Sequence, residues 1–300
     1  MSEPPLFIIT GATATGKSAR AVAWARENDA EIVSCDSLLV YRGMDIGTAK
    51  PSSQERAGVP HHCIDIVEPS EAFSVAAYIT AAKAAICDIS TRGKRVVVVG
   101  GSGFYLRAFY GAVTDDLPIP QEVVDRVRAL QAEGLEALQA ALEPFAPGRP
   151  DFLDWRNPRR VAKALERCMA GGMPLSELHA RFRSATGAFA ANARQTLLLE
   201  RAPEDIAARI ERRTRAMISA GLVEEVVRLR DLGVFRTGTP PERAIGYKET
   251  LAWLAANRAG GKEALLAAIV VATRQLVAKQ RKWFRSQIPV DETIFLQAEE

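Results

Sequence analysis

Cysteine is scarce and unpaired. The 300 residues hold four, Cys35, Cys63, Cys87 and Cys168, far apart and without a C-x-x-C spacing. That excludes a disulfide framework and points to reduced thiols in a cytosolic protein. With three histidines in all, His61-His62-Cys63 has no second ligand pair at zinc-site spacing, so no structural metal cluster is expected. No apolar run approaches the roughly 20 residues that span a bilayer, and the first apolar stretch is a short strand, so neither membrane insertion nor an export signal is expected. The expected compartment is the cytoplasm. Internal repeats, low-complexity tracts and the N-K-x-D guanine signature are absent, which weakens a nucleotide-switch reading. A net charge of +3 dictates no partner by itself.

What the sequence does contain is organised around Leu6-Phe7-Ile8-Ile9-Thr10 followed by Gly11-Ala12-Thr13-Ala14-Thr15-Gly16-Lys17-Ser18. The first five residues read as a buried strand. Ala19 to Glu27, with Ala19, Val22, Ala23 and Ala25 among charges, reads as a helix. Between them stands G-x-x-x-x-G-K-S, the phosphate-binding loop. Its glycines let successive amides face one anion, the helix start adds its positive end, and Lys17 supplies a point charge. Ser18 is placed to ligate magnesium (Mg2+).

Glu31 to Cys35 reads as the second strand, ending at Asp36-Ser37. Ligands gather beyond the carboxyl ends of parallel strands, which brings Asp36 beside the phosphate loop. Asp36 there serves either as an outer anchor for magnesium or as a base for an acceptor group. Tyr41 to Pro51 and Pro60 to Pro69 read as loops at the same edge, and Phe73 to Ile89 as an alanine-rich helix. Arg95 to Val99 is apolar at consecutive positions, the mark of a buried parallel strand. It runs into Gly100-Gly101-Ser102-Gly103 where a nucleotide hydrolase would carry a magnesium-binding acid, and this weakens a hydrolase reading. A small-molecule kinase would share the loop and Asp36.

From Asp115 the chain becomes helix-forming and charged, punctuated by Pro118, Pro120, Pro144, Pro147 and Pro150. The fold class expected is α/β, a P-loop NTPase-like parallel sheet flanked by helices, with an inserted, mostly helical domain at 115–194 between core segments 1–114 and 195–300. Asn157-Pro158 starts a helix that places Arg159, Arg160 and Lys163 on one face. Gln195 to Leu199 reads as a strand returning to the core. Pro203 to Leu232 reads as a long helix with Gly221 as its weak point; Arg209 and Arg213, one turn apart, either clamp an anion together or pair with neighbours. Arg243 to Glu249 opens a further helix. Arg274, Lys279, Arg281, Lys282 and Arg285 occur with no acid among them and with Trp283-Phe284 inside the stretch, a composition suited equally to a solvated face or to nucleic acid.

Several motifs in this order resemble those of bacterial tRNA dimethylallyltransferases, also called tRNA isopentenyltransferases. They are the phosphate loop, Asp36-Ser37 with Tyr41, Met44 to Pro51, Pro60-His61-His62 with Ile64-Asp65, Gly100 to Gly103 with Tyr105-Leu106-Arg107, Ala164-Leu165-Glu166, and Ala244 to Glu249. The similarity runs nearly the whole length, to Phe284-Arg285.

The resemblance implies prenyl transfer from dimethylallyl diphosphate to the adenosine that follows the anticodon. Gly11, Ala12, Thr13, Ala14, Thr15, Gly16, Lys17 and Ser18 would hold the diphosphate with magnesium, aided by Arg213. Thr13, Asp36 and Lys17 would sit at the reacting centre. The anticodon stem-loop of tRNA would meet Asp36, Ser37, Leu38, Leu39, Ser102, Arg159, Arg160, Val161, Ala162, Lys163, Arg243, Gly246, Tyr247, Lys248, Lys279, Gln280, Arg281, Lys282, Trp283 and Arg285, with the protein acting as a monomer. Three departures from the common pattern stand out. Ser102 replaces threonine, Leu39 replaces glutamine, and Ala278-Lys279-Gln280-Arg281-Lys282-Trp283-Phe284 replaces Lys-Arg-Gln-x-Thr-Trp-Phe.

Overall fold

The computed structural model describes residues 3–113, 117–236 and 239–297. The strand before the phosphate loop, β1 (Leu6–Gly11), leads into α1 (Lys17–Glu27), which packs Ala21, Val22 and Ala25 inward and returns the chain to β2 (Ala30–Ser34). A loop region follows, holding only α2 (Ser53–Arg56) and the two-residue β3 (His61–His62). Next come α3 (Val75–Thr91), β4 (Arg95–Gly100) and α4 (Gly103–Arg107).

Residues 111–187 form a separate compact unit of four α-helices, α5 (Gln121–Glu133), α6 (Leu135–Leu142), α7 (Pro158–Gly171) and α8 (Leu175–Ser184). Its core includes Val127, Leu138, Leu142, Val161, Leu165 and Cys168. Asn157 caps α7 by accepting from the amides of Arg159 and Arg160 at 3.1 and 3.3 Å.

The chain then re-enters the first unit as β5 (Arg194–Arg201), α9 (Pro203–Ser219), α10 (Leu222–Asp231), α11 (Pro240–Arg243), α12 (Tyr247–Ala255), α13 (Gly261–Gln287) and β6 (Glu292–Leu296). All pairings in the six-stranded sheet are parallel, in the order β3-β2-β4-β1-β5-β6. In the middle of that order, β4 and β1 are buried along nearly their whole length, as consecutive apolar residues require.

The structure differs from the sequence reading in three places. Compact packing divides the chain at 110/111 and 187/188, whereas 114/115 and 194/195 were expected; the first expected boundary lies outside the described residues. Residues 188–193 belong to the core because Phe189 stacks on Phe109 with centroids 4.3 Å apart, and Asn192 donates to the Pro4 carbonyl at 2.9 Å. The helix expected from Arg243 begins instead at Tyr247, because Gly246 adopts a left-handed φ of 92° that separates α11 from α12. The break expected at Gly221 is present: at φ 103° it separates α9 from α10. Finally, β3 and β6 were missed: one is two residues long, and the other is a sheet edge without a clear period.

All four cysteines are free. Burial pushes the Cys63 thiol up to about 12 and that of Cys35 higher still, so both stay protonated and inert. No helix among the described residues is long and apolar enough to cross a membrane.

Candidate active site

The phosphate loop is shaped by contacts to its carbonyls. Thr15 Oγ1 and Lys17 Nζ donate to the Ala12 carbonyl at 2.9 and 3.2 Å. From α9 and β5, Arg209 Nε reaches the Ala14 carbonyl and Arg201 Nε the Thr15 carbonyl, each at 3.0 Å. The Thr13 and Thr15 amides are also engaged, by Gln280 Oε1 at 2.9 Å and the Ala12 carbonyl at 3.3 Å, which leaves the amides at the start of α1 for an anion. Gly16 stands before α1 at φ 94°, a conformation that a side chain strains, and it offers no capping group. The first amides of α1 are therefore uncapped and no acidic residue lies in its first turn, which leaves a positive helix end open to phosphate.

Lys17 and Arg213 add charge here. Burial pushes the Lys17 ammonium down to about 8; Asp36 opposes that shift and Arg213 reinforces it, so the three groups lie within electrostatic range of one another. Burial also lowers the Arg213 pKa, again against the pull of Asp36. The two arginines one turn apart thus separate in role. Arg209 holds loop backbone, whereas Arg213 lines the cavity.

Asp36 leaves the tip of β2 and accepts from the Leu38 amide at 2.9 Å, a turn that fixes one carboxylate oxygen. It makes no ion pair within the described residues and lines the cavity. Ser102, in the glycine-rich turn after β4, accepts from the Ser37 amide at 3.0 Å and so ties the two strand tips together. Thr13, Asp36, Ser37, Ser102, Arg213, Lys279 and Gln280 all line one cavity of about 770 Å³. Phe73, Ile210, Met217, Ile269, Leu276 and Phe284 supply apolar wall. A carboxylate, a buried arginine and an apolar enclosure on one space, reached by the phosphate loop at Thr13, suit transfer of an apolar group from a diphosphate.

The motif Met44 to Pro51 builds one side of this space through a buried acid. Glu225 of α10 accepts from the successive amides of Asp45, Ile46 and Gly47 at 3.0, 2.9 and 3.1 Å, and from the Tyr247 hydroxyl at 2.6 Å. Gly47 is required because any β-carbon there would overlap the Tyr247 ring. Lys50, its side chain buried, pairs with Asp45 at 2.7 Å and with Asp65, and donates to the Tyr41 carbonyl at 2.7 Å. These contacts explain why the two loops and the Ala244 to Glu249 segment go together. Glu225 was not singled out by sequence; an acid amid Leu222, Val223, Val226 and Leu229 was the available signal.

The residues expected to face tRNA divide. Arg243, Lys248, Lys279, Lys282 and Arg285 are exposed in the core unit, and Arg159, Arg160 and Lys163 are exposed in the helical unit. Leu38, Leu39 and Trp283 are half-buried. Val161, Ala162 and Tyr247 are 0, 4 and 0% exposed, so the expectation that their side chains meet a partner is corrected: helix period turns the first two into a core, and Glu225 claims the third. Gln280 and Arg281 are also committed internally, Arg281 by donating to the Arg201 carbonyl at 2.5 Å. Phe104 was not anticipated, yet it lines the cavity while 59% exposed.

Among the described residues no group of three or more His, Cys, Asp or Glu side chains could hold a metal. A magnesium ion carried by a diphosphate needs little protein ligation, and the exposed Ser18 hydroxyl beside Lys17, with Asp36 in range of the same lysine, fits that donor set.

Comparison with known proteins gives the family of the chain. The model of the IPP transferase family matches residues 39–287. A tRNA dimethylallyltransferase of Opitutus terrae is 46% identical over 96% of this chain and 92% of its own, and one of Methylibium petroleiphilum is 42% identical over 92% and 85%. Among solved structures, the tRNA isopentenylpyrophosphate transferase of Bacillus halodurans superposes with a TM-score of 0.70 at 32% identity, covering 99% of this chain and 91% of that one. A eukaryotic dimethylallyltransferase acting on tRNA gives 0.81 at 26% identity, covering 99% and 74%. Matched by the family model over residues 39–287 and by relatives along almost its entire length, this chain belongs to the IPP transferase family of tRNA dimethylallyltransferases.

Proposed function

We propose that the chain transfers the dimethylallyl group of dimethylallyl diphosphate to the exocyclic amine of the adenosine 3′ of the anticodon in tRNA, releasing diphosphate. The observation that carries this reading is that Thr13 of the phosphate loop, Asp36, Arg213 and an apolar wall line a single cavity, with Lys17 of α1 within electrostatic range of Asp36. That amine is a weak nucleophile because its lone pair is delocalised into the purine ring. Its attack forms the new carbon–nitrogen bond as the allylic carbon–oxygen bond breaks, the electron pair leaves with diphosphate, and Asp36 takes the amine proton. Lys17, Arg213 and the uncapped α1 amides stabilise the charge gathering on the departing diphosphate. Magnesium, held by Ser18, supplies further charge neutralisation when bound. Thr13 lines the reacting centre opposite Asp36. The adenosine leaves its stack to reach the cavity, as base-modifying enzymes require.

The test is direct. Purified protein with dimethylallyl diphosphate, magnesium and unmodified tRNA should yield prenylated adenosine by mass analysis of the nucleosides, and a product-free reaction overturns the reading. Two further expectations arise from the cradle and from α13. Lys17 is cationic below about pH 8 and neutral above it. An arriving diphosphate raises that pKa again, so binding takes up a proton and affinity falls as pH climbs beyond 8, by at most about tenfold per pH unit. Calorimetry in two buffers of different ionisation enthalpy measures the uptake; an affinity flat between pH 8 and 10 would contradict it, and Lys17→Arg should be flat.

Lys279 is exposed at the cavity and makes no ion pair among the described residues, whereas Arg281 donates to the Arg201 carbonyl. Lys279→Ala is expected to weaken tRNA binding and to reduce the slope of log affinity against log salt by on the order of one. An unaltered slope would mean that no phosphate is contacted there.

A further inference from the structure

Gln280 stands in the most basic stretch of the sequence, on a helix whose neighbouring positions 279 and 282 are exposed lysines, yet its own side chain turns inward. Its Oε1 accepts from the Thr13 amide at 2.9 Å, and its Nε2 donates to the Gly101 carbonyl at 2.9 Å. These two partners belong to different strand tips. Thr13 lies in the phosphate loop after β1, and Gly101 in the turn after β4. The next residue, Ser102, accepts from the Ser37 amide at 3.0 Å, and Ser37 adjoins Asp36. A hydrogen-bonded path therefore runs from Thr13 through Gln280 and the Gly101-Ser102 backbone to the residue beside Asp36.

The space around this amide is fitted to it. A β-carbon at Gly101 would stand 3.0 Å from Gln280 Nε2, 3.1 Å from the Gly11 carbonyl and 3.4 Å from Lys17 Cε. The absence of a side chain at 101 lets the amide and the Lys17 stem share that gap.

We propose that Gln280 is a positioning residue that sets the separation between the diphosphate cradle and the proton-accepting side of the cavity, and that it does so by holding Thr13 and Gly101 with the two ends of one amide. This rests on the prenyl-transfer reading. Gln280 carries no charge to attract a diphosphate, so its removal loosens alignment more than it weakens binding. Misplacement of reacting groups by about 1 Å can cost on the order of a hundredfold in rate.

Two variants and one control test the assignment. Gln280→Met keeps the length and bulk of the side chain but cannot make either hydrogen bond; Gln280→Ala removes both bulk and bonds. Both are expected to lower kcat at saturating substrates by about 10- to 100-fold, with the KM for dimethylallyl diphosphate and the Kd for tRNA each within about threefold of the wild type and the melting temperature nearly unchanged. Gly101→Ala, which crowds the amide, should lower kcat similarly, and the Gly101→Ala/Gln280→Met double variant should be no slower than the slower single variant. A Gln280→Met enzyme with wild-type kcat would reduce the side chain to a space filler and overturn the proposal. So would a loss of kcat that tracks a fall in melting temperature, or an effect confined to tRNA affinity, which would return Gln280 to the partner surface. Wild-type turnover is measured in the same series, so failure of the transfer reading itself, no product from the unaltered protein, is distinguishable from failure of this assignment.

Discussion

Asp36→Ala is expected to lower kcat by about a hundredfold or more, about 2.7 kcal/mol of transition-state stabilisation, while leaving tRNA affinity within about threefold. Alanine removes two things together: the carboxylate that takes the amine proton and the oxygen that accepts from the Leu38 amide. Asp36→Asn separates them. Its side-chain oxygen still accepts from Leu38 and keeps the turn, but it cannot take a proton at neutral pH. If general-base action is the larger part, the asparagine variant is nearly as slow as alanine. Recovery of most of the rate by asparagine would assign Asp36 to holding the loop after β2, and a large loss of tRNA affinity with an unchanged single-turnover rate would move it to the binding surface. Single-turnover measurement with preformed enzyme–tRNA complex distinguishes these outcomes.

Glu225→Ala is expected to destabilise the protein by about 3–5 kcal/mol and to abolish most activity, although Glu225 does not line the cavity. The buried carboxylate is the acceptor for three consecutive amides and one phenol. Its removal leaves four donors short of a partner, of which the Gly47 amide and the Tyr247 hydroxyl are buried, each of those with a desolvation cost of about 1–3 kcal/mol before relaxation. Burial and the adjacent carboxylate push the Tyr247 pKa upward, so the phenol stays a donor across the accessible pH range and cannot adapt by ionising. Glu225→Gln should be milder, since its carbonyl can serve one part of the 45–47 turn while its NH2 group opposes the rest. Denaturant unfolding provides the measurement, and a Glu225→Ala protein as stable as the wild type would show that the turn closes without its acceptor.

These two residues mark what a sequence reader can and cannot see. Asp36 was legible because a parallel sheet sends its ligands to the strand tips, and the polar pair after a buried strand announces the tip. The sheet was equally legible from the apolar runs at 6–10 and 95–99, and the break at Gly221 from its backbone freedom. Glu225 was not legible, because its partners lie 178 to 180 positions away in a loop and its value comes from backbone amides that no residue type advertises. Gln280 was misread for a related reason. Its cationic neighbours suggested a partner surface, whereas helix period turns position 280 toward the phosphate loop. Val161 and Ala162 fall to the same rule, lying between Arg160 and Lys163 in sequence but on the opposite side of α7.

The chain leaves and rejoins the core at nearly the same point. Phe109 and Phe189 stack there, Arg194 bonds to the Phe109 carbonyl, and in the helical unit the backbone at Gly111 lies within van der Waals distance of Gly187. Such a narrow neck makes the excursion modular: insertions or deletions beyond it leave strand register and the arrangement of Thr13, Asp36 and Ser102 untouched.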